Sequence, residues 1–230
     1  MLVSHSSAVY PTVLLWKDED GPEIKSIAFL NPSGHRRIKA MRPKIVTSVA
    51  VRVYRNRLGR GICRTFGTTV LSITGCPVRP DNMDNVILSA TTMVYSKFRH
   101  VSSLLQLSVS LLIRKSLPRS PFSRLRRHLQ LRESLELLKS SGMPILMVLS
   151  GNDKLVDTEI SYEMAEILGA TEKSYSVYNQ YSVIEKARES TDFPWIVVLP
   201  EGGHYSFVNH PKVVNGEIVN FVSKVRSLSS

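Results

Sequence analysis

Two short, wholly apolar runs stand near the C-terminus, each closed by small and polar residues. Ile145 to Leu149 is followed by Ser150-Gly151-Asn152-Asp153, and Trp195 to Leu199 by Pro200-Glu201-Gly202-Gly203-His204. Unbroken apolar runs of this length between breakers predict strands buried on both faces, as in a parallel sheet. Around them the apolar positions fall at helical intervals. Asp157 or Thr158 opens a helix through Leu168, a second helix is expected over Ser182 to Arg188, and Pro211 to Val225 is the closing helix. Upstream, Ser120 to Ser141 reads as an amphipathic helix with Leu125, Leu129, Glu133, Leu137 and Leu138 on its spacing. Ser120 and Pro121 form its start, and Gly142 with Pro144 its end.

The N-terminal end shows the same rhythm. Leu2-Val3 is a strand stub, Ser4 to Ala8 its turn, and Val9 to Lys17 an apolar helix with Pro11 in the first turn. Asp18-Glu19-Asp20-Gly21-Pro22 is a solvated turn, Ile24 to Leu30 a strand, and Asn31-Pro32-Ser33-Gly34 its stop. Strand, helix and strand alternating at both ends place the chain in the α/β class. The stretch from His35 to Pro118 breaks the alternation. It carries Val49, Val51, Val53, Tyr54 and Leu58 at helix-like spacing, a Gly/Thr-rich patch over Gly59 to Gly75, and an apolar helix over Val101 to Ile113. It reads as mainly helical and irregular.

Charge sharpens that division. The chain of 230 residues carries a formal net charge of +11. Between His35 and His128 the only acids are Asp81 and Asp84, whereas beyond Leu129 acids and bases roughly balance. Residues 35–128 are therefore expected to form a basic, mainly helical insertion within one domain spanning 1–230. Its densest part, Arg114-Lys115 through Arg124, Arg126 and Arg127, is either a solvated face or an attraction for an anionic membrane surface or acidic substrates. Aromatic residues are sparse there and no RNA-binding signature accompanies them, so nucleic acid is not an expected partner. Cys63 and Cys76 make no disulfide framework and read as idle thiols of a reducing compartment. No secretory signal is visible, and the Val101 run is shorter than the roughly 20 apolar residues of a membrane span, so a cytoplasmic location is expected.

The chemistry sits at the strand ends. An Asp and a His at the ends of successive strands are the last two members of a Ser…Asp…His order. The first must stand on a sharp turn with small residues two places to either side, and Ser4-His5-Ser6-Ser7-Ala8 meets that rule around Ser6. Such a trio performs acyl transfer: the imidazole takes the serine proton, and the carboxylate fixes its tautomer and stabilises the imidazolium. The Ser7 amide, opening the following helix, would supply an oxyanion donor. Asp157 competes as the acid, but its position suits a helix N-cap better than does that of Asp153. His35, His100 and His128 lie in basic, solvated surroundings, and His210 stands at a helix start beside Pro211. No His/Cys/Asp/Glu cluster has metal-ligand spacing and no glycine-rich loop resembles a phosphate cradle, so neither a metal nor a cofactor is expected.

These pieces resemble the α/β-hydrolase fold superfamily. Ser4-His5-Ser6-Ser7-Ala8 matches the nucleophile elbow, Ser150-Gly151-Asn152-Asp153 the acid turn, and Gly202-Gly203-His204 the histidine loop. Phe29-Leu30-Asn31-Pro32-Ser33-Gly34 with His35 to Pro43 is similar to the strand and loop leading into the cap in an animal branch of that superfamily. The resemblance implies Ser6 as nucleophile, Asp153 as acid, His204 as base, and His5 as a packing neighbour. It also implies a cap over the site and a small acyl or lipid-like ester as substrate. The chain departs from the pattern in two ways. Ser4 and Ala8 replace the usual glycines of the elbow, and the strands that precede the elbow in the superfamily do not fit in the three residues before Ser4. The resemblance thus implies the C-terminal half of the sheet, an N-terminally truncated hydrolase. A non-catalytic chain acting through a partner is the alternative.

Overall fold

The computed structural model describes residues 1–35, 53, 57–73 and 131–229. The chain divides into two compact units, one formed by Met1–Ala40 with Leu131–Ser230 and the other by Met41–Gln130. The expected insertion over 35–128 differs from the second unit by a few residues at each end.

The first unit holds a six-stranded sheet. Its strands are β1 (Leu2–His5), β2 (Ile27–Leu30), β3 (Ile145–Ser150), β4 (Tyr175–Tyr178), β5 (Ile184–Lys186) and β6 (Trp195–Leu199), in the order β1-β2-β3-β6-β4-β5. All neighbours run parallel except β5, which is antiparallel to β4. The helices are α1 (Val9–Trp16), α2 (Arg57–Ile73, in the second unit), α3 (Leu131–Ser140), α4 (Thr158–Ile167), the short α5 (Ser206–Asn209) and α6 (Pro211–Ser229).

Helices cover the sheet in two groups, as the continuous apolar strands require. Side chains alternate between faces along a strand, so Ala28, Leu30, Leu146, Val148, Val197 and Leu199 share one face. They form a core with Trp195 and with Val213, Val214 and Phe221 of α6. The alternate positions, including Ile27, Phe29, Ile145 and Met147, are fully or nearly fully buried on the opposite face. On that side α1 meets α3, α3 meets α4, and α4 meets β3. Lys17 at the end of α1 donates to Ser134 Oγ of α3 at 2.8 Å.

The sequence expectations are met unevenly. The strand expected over Ile24 to Leu30 is confined to Ile27–Leu30, because pairing begins where Leu2 donates to Ser26 O and Ile27 to Pro144 O. The helix expected over Ser182 to Arg188 is instead the edge strand β5. Asn179 turns the chain there: its side chain accepts from the amides of Tyr181 and Val183, and Ser182 takes φ +65°. The result is a hairpin whose outer strand is wholly exposed and carries Glu185 and Lys186, charges that keep an edge strand from pairing further. Strand β4 carries no expectation in the sequence. In the second unit, α2 takes in the Gly/Thr-rich patch from Gly59 as far as Ile73, the rest of the patch lying outside the described residues. The amphipathic helix expected from Ser120 is helical over Leu131–Ser140, with Gly142 at φ +68° after it; its first half, and the Val101 to Ile113 run, lie outside the described residues.

Candidate active site

Three strands deliver the site. Strand β1 ends on His5, and the next residue, Ser6, takes φ +55° at the start of a 3-10 turn over Ser6–Ala8 that feeds α1. A non-glycine residue there is held in a conformation costing on the order of 1–3 kcal/mol. The turn lifts the hydroxyl off the end of the sheet. Ser4, two residues earlier, is buried within the sheet, which is why a small residue is needed.

Asp153 follows β3 and His204 follows β6, adjacent parallel strands in the sheet. The two turns are fastened by main-chain bonds: Gly151 N donates to Leu199 O at 3.0 Å and Asn152 N to Gly202 O at 3.1 Å. The approach is so close that a Cβ on Gly151 would stand 2.4 Å from Pro200 O, and one on Gly202 2.9 Å from Ser150 Oγ. Gly151 and Gly202 are therefore a packing requirement of these turns, whereas a Cβ on Gly203 would meet only Asn209 Nδ2, at 3.5 Å.

The side chains converge. His204 Nδ1 lies 2.8 Å from Asp153 Oδ2, and His204 Nε2 lies 2.9 Å from Ser6 Oγ. An ionised carboxylate only accepts, so the Nδ1 proton is donated to Asp153 and Nε2 is left to accept from the Ser6 hydroxyl. Asp153 and His204 are both buried. The other carboxylate oxygen, Oδ1, accepts from the amides of Leu155 at 2.8 Å and Val156 at 3.0 Å. Burial by itself raises the carboxyl pKa. The hydrogen bond and charge of His204, with the Val156 and Leu155 amides, outweigh it and hold Asp153 below the ordinary value. Asp153 is thus kept ionised beside the imidazole.

Two supports were not legible in the sequence as such. The Nε2–H of His5 donates to the His204 carbonyl at 2.9 Å, and its ring packs against those of His204, Tyr205 and Phe207. Burial pushes its pKa down to about 4, with a smaller opposing pull from the carbonyl bond, so His5 is a neutral donor. The second support is the loop after β2. Asn31, at φ +43°, accepts from Ser206 Oγ just beyond the histidine loop, and Ser33 N donates to Ser6 O at 3.1 Å. Gly34 closes that loop at φ +72°, where a Cβ would stand 2.2 Å from Ile160 Cγ2. Backbone dihedrals and distant partners of this kind leave no mark in hydrophobic periodicity; the signals were the breaker cluster Asn31-Pro32-Ser33-Gly34 and, for His5, the resemblance that implied a packing neighbour there.

The remaining candidates fall elsewhere. Ser7 occupies the 3-10 turn immediately after Ser6, where the opening amides of a helical segment lack internal partners. Asp157 takes the N-cap position of α4, although its side chain makes no capping hydrogen bond. His35 is not solvated as expected: its side chain is 9% exposed and Nε2 lies 3.4 Å from Glu163 Oε2. Through Gly34 and His35 the loop out of β2 lies against α4. His210 Nδ1 lies 3.1 Å from Ser182 Oγ, and His100 and His128 are outside the described residues. Among the described residues, no three His, Cys, Asp or Glu side chains group as metal ligands. No protein-family model matches the chain, and no curated protein matches it in sequence.

Proposed function

We propose that the chain is a serine hydrolase of the α/β-hydrolase type, cleaving carboxylic esters through Ser6, His204 and Asp153. The observation that carries this reading is the unbroken relay from Asp153 through His204 to a serine held at φ +55° on a strand end. His204 Nε2 takes the proton as Ser6 Oγ attacks the ester carbonyl. The Ser7 amide donates to the oxyanion, the imidazolium returns its proton to the departing alcohol, and an acyl-serine remains. Water, deprotonated by the same imidazole, then releases the acid and restores the serine. The sheet order fits the second half of such a fold, with nucleophile, acid and base on β1, β3 and β6. The basic 35–128 segment is assigned as the cap from its sequence, and its apolar Val101 to Ile113 run favours a lipid-like acyl group.

The test is labelling by a fluorophosphonate probe. The wild-type chain is expected to label covalently and Ser6→Ala to lose the label. Persistent labelling of that variant removes Ser6 from the mechanism. A second reading, a chain that is inert until a partner completes it, is favoured by the position of β1 at the sheet edge with Val3 half-exposed. A folded chain that the probe leaves unlabelled would favour it.

A further inference from the structure

Helix α2, in the second unit, holds large apolar side chains in the open. Along α2, Leu58, Ile62 and Phe66 follow one another at four-residue intervals and are 78%, 49% and 71% exposed. At about 100° per residue these positions share an arc of about 80°. Positions 57, 60 and 64, all arginine, fall within about 60° of one another on the opposite side. The helix contains no acidic residue. An apolar row held out to water on a helix whose charges are all positive lacks its medium.

We propose that α2 lies flat on an anionic lipid bilayer, with Leu58, Ile62 and Phe66 among the acyl chains and the arginines at the level of the headgroup phosphates. Charge selects this occupant. The helix carries no acid and the chain a net charge of +11, so a second copy of the chain is repelled at longer range whereas an anionic surface attracts it. The helix is 17 residues long and, among the described residues, no helix is long and apolar enough to cross a membrane, so α2 rests on the surface instead of spanning it. The inference goes beyond the hydrolase reading and does not depend on it.

The test is sedimentation of the full chain with vesicles of phosphatidylcholine alone or mixed with phosphatidylserine. Binding is expected to the mixed vesicles at low salt, with release as salt rises. These arms use the unmodified chain, so the outcome does not rest on a variant folding. Arg57→Gln, Arg60→Gln and Arg64→Gln together should weaken binding about a hundredfold, at about fivefold per charge. Leu58→Ser with Phe66→Ser should weaken it by at least about tenfold with the charge intact. Ser6→Ala should bind as the wild type does, so lipid binding and probe labelling succeed or fail separately. Equal binding to both vesicle types, no binding at all, or a chain that is dimeric until Phe66→Ser makes it monomeric would each overturn the proposal.

Discussion

At the carboxyl ends of β3 and β6, the buried Asp153 accepts from His204 at 2.8 Å. On the far flank of the sheet the equally buried Glu217 of α6 accepts from Arg188 at the same distance. There the basic partner is a guanidinium, whose further bond to a hydroxyl cannot carry a proton. Tyr178 donates to the other carboxylate oxygen, Arg188 also donates to Ser176 Oγ, and its guanidinium lies 3.7 Å from the centre of the Trp195 ring. Tyr178 is correspondingly pushed far up, by burial first and then by Glu217. The Asp153 chain does not close in this way. It continues through the second imidazole nitrogen to a hydroxyl on a strained turn. Two buried acids with one basic neighbour each thus differ in what lies beyond that neighbour. A guanidinium cannot hand on a proton, whereas an imidazole can.

Substitution separates the two sites. Asp153→Asn is expected to lower ester turnover by about 10⁴ while leaving the fold intact, because the neutral amide no longer fixes the tautomer. Kinetics with an activated ester, beside near-ultraviolet circular dichroism, would measure both. Glu217→Gln should do the reverse, lowering unfolding stability by about 3–5 kcal/mol, the scale for a buried pair that loses one partner. Urea unfolding reads that loss, and probe labelling of Ser6 should persist under native conditions. If Glu217→Gln abolished labelling without loss of stability, the two regions would not be separate.

Acid should reach the His5 end first. Burial holds the folded His5 pKa down at about 4, whereas an unfolded histidine titrates near its ordinary value of 6.5. Between those values the unfolded chain binds the extra proton. The stabilisation is therefore full above about pH 6.5 and falls toward pH 4 by on the order of 3 kcal/mol. Asp153, held below its ordinary value, adds its own loss only below about pH 4. His5→Asn should flatten the upper window in urea titrations at several pH values; an equally steep profile in the variant would remove His5 as the cause. The smallest effect is expected at Ser4, whose buried hydroxyl meets no hydrogen-bond partner among the described residues. Ser4→Ala should leave thermal stability unchanged or raise it by about 1 kcal/mol.

What the sequence disclosed follows from the kind of signal each element leaves. Strands β3 and β6 and helix α6 were legible because five-residue apolar runs and long helical spacing are local properties. The hairpin was not: Ile184 to Lys186 is exposed on both faces, so no pattern distinguishes an edge strand from a helix turn, and Asn179 sets the turn by bonds made after folding. Among the site residues, Ser6, Asp153 and His204 were found from chain order and small-residue context, and the structure brings their side chains together. The bond from His5 to the His204 carbonyl and the hold of Asn31 on Ser206 depend on loops meeting across the sheet. The inward turn of His35 toward Glu163 likewise reversed a reading based on neighbouring arginines.

The peptide-to-peptide bonds between the turns after β3 and β6 have a consequence for tolerance to change. Since amides and carbonyls make them, replacing Asn152 or Glu201 leaves the fastening in place so long as the local dihedrals hold. The carboxylate and the imidazole are thus mounted on one bracket. Sequence drift around it can reshape the mouth of the site before it disturbs their alignment.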